Sequence, residues 1–470
     1  MTARVALAPW MIPVPLKAST FTPLERAHAA CNVEIDLAGI GTYFAPRARA
    51  IGAVDFQLLP EGAVRGRLGN GRGVHYRGYY LKGVGRTQLA ANWMIDGDTR
   101  HATGHMFPSS AAREYLVSRY AEAHGLADAI VACEGVLARP LPRGARAHVA
   151  IGLPEREPIA AIDLRAQAIS IKRSTFARLS NFTWALHQLD NAHRAIAEMT
   201  LAIERALAPE VDAAACTPRS MIAALAASID RGWTMLERSF EAGVSWGYID
   251  NNLSACGRAL DLEAPTVFGG PIFGVRQDEP APAPMRAADR WVGLDALDYA
   301  RRAEIFVDDL AARFAFLATS TALQHPLARR FAHELGRELA RAFPASHVVR
   351  SAKARAARVE RHLARALDLG ATGRRALRTI VAARDRFVAD QTDAVIDGAV
   401  ADVPIRFAQH APAVRRAFRR PAWAPAPSAA MIERATIWND AVESCDRARS
   451  IEAYFTALRR GARAIAASRA

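Results

Sequence analysis

Two hydrophobic periodicities divide the chain. From about Val33 to Arg173 short runs alternate apolar and polar residues between Gly and Pro, the period-two signature of strands. The spacing predicts strands over GVHYRGYYLKG (73–83), AIVACEGVLAR (129–139), HVAIGL (148–153) and IAAIDLRAQAISI (159–171). One helix interrupts them: Pro108, Ser109 and Ser110 read as its cap and first turn, AAREYLVSRYAEAHG continues it with helix formers, and Gly125 stops it. After about Asn181 helical spacing takes over, in WALHQLDNAHRAIAEMTLAIERALA and CTPRSMIAALAASIDRGWTMLERSFEAG. Phe306, Leu310, Phe314 and Leu317 recur at helical spacing, as do Phe331, Leu335, Leu339 and Phe343, and both stripes read as core-facing helix surfaces.

A mixed sheet unit followed by a helical unit is an α+β arrangement, and it matches the two lobes of a protein kinase. The expected division is an N-terminal extension over 1–32, an N-lobe-like sheet with one key helix over 33–175, a helical C-lobe-like domain over 176–345, and an Arg/Ala-rich helical extension over 346–470. RQDEPAPAPMRAADR (276–290) and RRPAWAPAPSAAM (419–431) are Pro/Ala-rich connections, and the second sets off a last helical piece.

Composition narrows the setting. At 470 residues the chain exceeds what one core organises, and 51% apolar content is ordinary for a globular protein. Five cysteines, Cys31, Cys133, Cys216, Cys256 and Cys445, are odd in number and lack CxxC spacing, against a disulfide framework or a zinc cluster and in favour of a reducing compartment. Near the start, Pro9, Pro13 and Pro15 break the apolar run an export signal requires. Nor does any apolar run approach the roughly 20 residues of a spanning helix. A cytoplasmic protein with no membrane span is expected. The net charge of +14 comes largely from arginines on Ala/Arg-rich helices, whose solvated faces account for it. Without a zinc finger, an RNA-recognition signature or a basic-aromatic run, nucleic acid is not the expected partner.

The candidate chemistry starts at YYLKGVGRT (79–87), where Lys82 follows a strand, and continues through Asp96-Gly97 to SSAAREYL (109–116), where Glu114 lies on a helix. A nucleotide site of the kinase type needs a lysine for the phosphates, a helix-borne carboxylate to hold it, and turns that let backbone approach a ligand. Just upstream, GRLGNGRG (66–73) offers Gly69, Gly71 and Arg72, which combine exposed backbone N–H groups with a positive charge.

These segments resemble the selenoprotein O family, pseudokinase-fold enzymes that transfer AMP from ATP to proteins. Lys82 stands in the family's LKGAGRT motif, Glu114 and Arg113 in its SSxRE helix, and Gly69, Gly71 and Arg72 in its GDGR element, with Asn70 in place of the Asp. Asp96 and Gly97 match as well. In IKRSTFARLSNF (171–182) Arg178 aligns with the second of two phosphate-binding arginines, while the first falls on Ile171, so that Lys172 or Arg173 must substitute. WGYIDNNLSACGRALDLEAP (246–265) shares the N-x-S-x-x-G pattern of the family's catalytic segment, which places Asn252 and Asp261 on its magnesium positions. The family's catalytic base is an aspartate that here becomes Asn251, and an amide cannot accept a proton as a carboxylate does. Asp250, one residue earlier, is the other candidate beside the acceptor. Leu262-Glu263 also replaces the family's Tyr-Gly.

The resemblance covers roughly residues 60 to 275 and implies a two-lobed kinase-like fold, ATP and Mg²⁺ (or Mn²⁺) as cofactors, and a protein, peptide or small-molecule hydroxyl as acceptor. Asn251 keeps open a nucleotide-binding pseudoenzyme with a scaffold role, and phosphoryl transfer is a further alternative. GxSxG, HExxH and GxxxxGK[ST] signatures are lacking, which excludes the usual serine hydrolases, zinc proteases and Walker ATPases. His325 and His333 are too poorly spaced for a metal pair.

Overall fold

The computed structural model describes residues 11–13, 28–31, 64–66, 73–76, 79–83, 106–140, 160–172, 217–246, 254, 257–263, 265–268, 326–343 and 428–468, with scattered positions in 307–319 and 357–375. Strands are β1 (Met11–Pro13), β2 (His28–Cys31), β3 (Val64–Gly66), β4 (Gly73–Tyr76), β5 (Tyr79–Lys82), β6 (Cys133–Pro140), β7 (Ala166–Lys172), β8 (Val244–Ser245) and β9 (Thr266–Val267). The long helices are α1 (Pro108–Ala123), α2 (Pro218–Glu241), α3 (Pro326–Ala342), α4 (Ala429–Asp446) and α5 (Ile451–Ala467). The chain is thus α+β. It divides into two units, one of residues 1–177 with 437–470 and the other of 178–436.

The first unit is a seven-stranded antiparallel sheet in the order β1-β3-β4-β5-β7-β6-β2, with α1 and α5 packed against it. The hairpin expected over 73–83 forms as β4 and β5, with Tyr76 opposite Tyr79 and Gly73 opposite Lys82. The strands expected over 129–139 and 159–171 start later, at Cys133 and Ala166, because Ala127–Ala129 form a 3₁₀ turn and 161–165 a succession of turns. All seven residues of β7 are buried, as befits an interior strand covered on both faces. The segment 148–153 lies outside the described residues.

Helix α1 has no amphipathic stripe because it has almost no solvent face. Ala111, Ala112, Leu116, Val117 and Ala121 are fully buried, and so are Glu114 and Ser118. Its sheet side meets β6 and β7, and its other side meets α5. Pro108, Ser109 and Ser110 form its first turn as expected, where the missing N–H of Pro108 costs nothing, while the cap itself is Phe107, without a side-chain hydrogen bond. Ser109 turns to Asp163, its N–H donating to Oδ1 at 3.0 Å and its hydroxyl to Oδ2 at 2.6 Å. Gly125 ends the helix as expected, at φ +73°.

Residues 437–470 belong with the sheet. The sequence reading groups them in a helical extension beyond 346, yet the stripe Trp438, Ala441 and Cys445 of α4 is buried, as are Tyr454, Phe455, Leu458 and Ile465 of α5. Close approach is built into α5, where a Cβ on Gly461 would come within 2.6 Å of Ala441 Cβ and 3.4 Å of Leu116 Cδ2.

In the second unit α2 buries Ile222, Leu225, Ile229, Trp233, Leu236 and Phe240, at the i, i+3, i+4 rhythm of its sequence. α3 packs along it through Leu335 and Leu339, each almost wholly buried. Arg330, Arg337 and Arg341 project from α3 and pair within it with Glu334 and Glu338. His333 is exposed. The stripe 306–317 falls on residues that are not described. No helix among the described residues is long and apolar enough to cross a membrane.

Candidate active site

The register of β5 against β7 assembles a buried lysine–glutamate cluster in the first unit. Tyr80 lies opposite Lys172 and Lys82 opposite Ser170, so these four side chains share one face of the sheet. α1 delivers Glu114 to that face. Lys82 Nζ donates to Glu114 Oε1 at 2.9 Å, and Lys172 Nζ lies 3.2 Å from the same oxygen. Lys82 is 1% exposed and the other two are wholly buried. A buried lysine in so apolar a setting requires a carboxylate close by, and the two lysines together fix where Glu114 must stand.

Neighbouring atoms hold that geometry. The Ser118 hydroxyl donates to the Glu114 carbonyl oxygen at 2.7 Å and accepts from the Cys133 N–H at 2.8 Å, tying the glutamate turn of α1 to the start of β6. Gly83, immediately after the lysine, sits at φ +99°, and a Cβ there would come within 2.6 Å of both Ala168 O and Met106 Cβ. That crowding explains the glycine in LKG. Cys133 lies opposite Lys172. Its thiol is pushed up to about 12, first by burial and then by the charge of Glu114, against the opposing pull of Lys172, so it stays protonated and inert.

Local packing of the second unit explains the serine and the glycine of the N-x-S-x-x-G pattern. Trp246, 1% exposed, donates from Nε1 to the Ser239 hydroxyl at 2.8 Å, and that hydroxyl donates to Met235 O at 2.7 Å, which pins the chain to α2 as it enters the segment. Ser254 and Gly257 close a turn: the Gly257 N–H donates to Ser254 O at 2.9 Å and the Arg258 N–H to Ser254 Oγ at 3.0 Å. Gly257 has φ +77° and lies so close to Ser228 O of α2 that no side chain would fit. The chain then returns through Leu260, Asp261 and Leu262 to β9, which pairs with β8. Asp261 is half-buried between two leucines that are fully buried.

Asp261 and Glu263 present carboxylate oxygens within 4.8 Å of one another. Hard oxygen donors suit Mg²⁺, which takes one or two protein ligands and completes its shell with phosphate and water. The residues present therefore fit the metal. Sequence alone gives no sign that the Glu263 carboxylate lies beside that of Asp261. The sequence offers Lys172 or Arg173 as the arginine substitute, and nothing local signals the partnership of Lys172 with Glu114.

Gly69, Gly71, Arg72, Asp96, Gly97, Arg178, Asp250, Asn251 and Asn252 lie outside the described residues, as does Arg173. The structure brings Lys82, Glu114 and Lys172 together and places Asp261 at the exit of the Ser254–Gly257 turn. Compared with protein-family models and with curated proteins, the chain gives no match.

Proposed function

We propose that the chain is an ATP- and Mg²⁺-dependent adenylyltransferase of kinase-like fold, acting on a hydroxyl of a protein, peptide or small molecule. The observation that carries this reading is the buried Lys82–Glu114 pair at 2.9 Å. A lysine on a strand, held by a glutamate on the next long helix, is the phosphate-positioning device of protein kinases. The order of the parts, glycine-rich segment, lysine strand, glutamate helix and then Asn252 and Asp261, supports it, as does the resemblance to selenoprotein O.

In this reading Lys82, oriented by Glu114, and Arg178 bind the triphosphate, and Gly69, Gly71, Arg72, Asp96 and Gly97 shape the nucleotide pocket. Asn252 and Asp261 hold Mg²⁺, or Mn²⁺ in its place, which supplies charge neutralisation on the phosphates. The acceptor oxygen bonds to the α-phosphorus as the bond to pyrophosphate breaks. Asp250 takes the acceptor proton, or water does so with Asn251 positioning the hydroxyl. Transfers of this kind rest mainly on positioning and electrostatics, so Asn251 in place of a carboxylate is compatible with turnover.

Asn251 favours a second reading, a nucleotide-binding pseudoenzyme that serves as a scaffold. Incubation with ATP labelled at the α- or the γ-phosphate separates the two. Transfer from the α position alone, abolished in Lys82→Ala and Asp261→Ala, is the expected result. Transfer from the γ position alone means a kinase, and saturable Mg-ATP binding without transfer means the pseudoenzyme. Full transfer in both variants would sink the site assignment.

A further inference from the structure

The helix that carries Glu114 is gripped from the side opposite the lysines by residues far away in sequence. Tyr454 of α5, fully buried, donates from its hydroxyl to Pro108 O at 2.8 Å, on the first turn of α1. Arg113, next to Glu114, reaches Asp446 at the end of α4 with both terminal nitrogens, Nη2 to Oδ2 at 2.7 Å and Nη1 to Oδ1 at 3.4 Å. Arg113 Nη1 also donates to Ser109 O at 3.0 Å, so the guanidinium ties the first turn of α1 to α4. The Ala161 N–H donates to Asp446 O at 2.8 Å, and Asp163 in the same turn takes the two Ser109 hydrogen bonds. Further along, Tyr120 meets Trp438 edge to face at 6.4 Å, and Gly461 admits Leu116.

The sheet side of α1 is held at the Glu114 turn by the two lysines and by Ser118 against Cys133. Tyr454 and Asp446 grip the first turn and the Arg113 position, which restrains the helix from its other side as well. A bidentate guanidinium–carboxylate pair adds a directional restraint that a single point charge lacks.

We propose that residues 437–470 act in cis as the positioning element of the nucleotide site, with Tyr454 and Asp446 as positioning residues that set Glu114, and through it Lys82, by holding the first turn of α1. This rests on the nucleotide reading for its functional consequence and on contacts of the first unit alone for its structural part.

The test uses the full chain carrying Asp446→Ala, Tyr454→Phe and the two combined, with circular dichroism to confirm folding. Hydrogen exchange followed by mass spectrometry, without nucleotide, should show peptides within 108–120 exchanging about tenfold faster in the double variant, while peptides of α2 keep the wild-type rate. Isothermal titration with Mg-ATP should show Kd raised about tenfold, with Asp446→Glu recovering part of the loss. In a Glu114→Gln background the same two substitutions should change Kd no further, because they act through Glu114. Unchanged exchange in α1, unchanged Kd in a folded double variant, or an equal Kd shift with and without Glu114 would each overturn the proposal. If the wild-type chain binds no Mg-ATP while the exchange effect stays confined to α1, the nucleotide reading falls and the clamp stands.

Discussion

Glu114→Gln probes the centre of the site most directly. Two ammonium groups lie 2.9 and 3.2 Å from one carboxylate oxygen, and all three side chains are at most 2% exposed. The substitution keeps the shape and removes the charge, leaving two buried cations without the carboxylate they share. Removing one member of a buried ion pair costs about 3–5 kcal/mol. The amide oxygen can still accept from one lysine and returns about 1 kcal/mol, so a net loss of about 3 kcal/mol is expected. Against a typical total of about 5–15 kcal/mol this is a large effect. Urea denaturation at pH 7, followed by exchange of α1 peptides so that the first unit is read separately, measures it. The decisive comparison adds Lys172→Met: removing one of the two cations should restore more than half of the lost stability, a second substitution that repairs the first. A Glu114→Gln variant within 0.5 kcal/mol of wild type, a difference no larger than about the error of such measurements, would refute the reasoning. So would a double variant weaker than the single one.

Three further substitutions follow from the geometry. Burial raises the Asp163 carboxyl from 3.8 to about 6, opposed by its hydrogen bonds from Ser109, so the folded state holds this proton more tightly than the unfolded chain. Stability linked to Asp163 is then full below pH 4 and is lost as pH rises through 6, a change of order 2–3 kcal/mol. Asp163→Asn should flatten the slope between pH 4 and 7 in chemical denaturation, and an unchanged slope would count against the assignment. Ser239→Ala removes the hydroxyl that accepts from the buried Trp246 Nε1 and should cost about 1 kcal/mol, read as a lower thermal midpoint of the second unit. Gly257→Ala combines a left-handed backbone with a collision against Ser228 O, and should lower stability and weaken Mg²⁺-dependent nucleotide binding together; normal metal dependence in the folded variant would separate the turn from Asp261.

The parts of this fold legible in sequence were those coded locally. The β4–β5 hairpin, the extent of α1 and its stop at Gly125, and the Leu335 and Leu339 stripe all follow from spacing and punctuation. The pairing of Lys82 with Glu114 was legible because its two halves sit in recognisable short motifs. What spacing could not supply was the far side of α1. A helix buried all round shows no amphipathic stripe, and nothing local says that Asp446 and Tyr454 will cover it. Ser109 lies in the first turn as its position suggests, but its bonds go to a tertiary partner, Asp163, that no local pattern announces. Lys172 stands beside Arg173 as a possible substitute for a ligand-binding arginine, because sequence shows charge but not which carboxylate a register places beneath it.

The link between Arg113 and Asp446 spans 333 positions of chain. At the usual pace of synthesis, about 5–20 residues per second, the ribosome makes Asp446 roughly 15 to 70 s after Arg113. Throughout that interval the apolar back of α1, with Leu116 and Tyr120 at its centre, has no cover from α4 or α5. An apolar surface left uncovered during synthesis favours transient association, and α1 carries such a surface until the residues of α4 and α5 are made. The covalent distance that hides the clamp from a sequence reader also orders its assembly, since Lys82 and Glu114 are synthesised long before Asp446 and Tyr454.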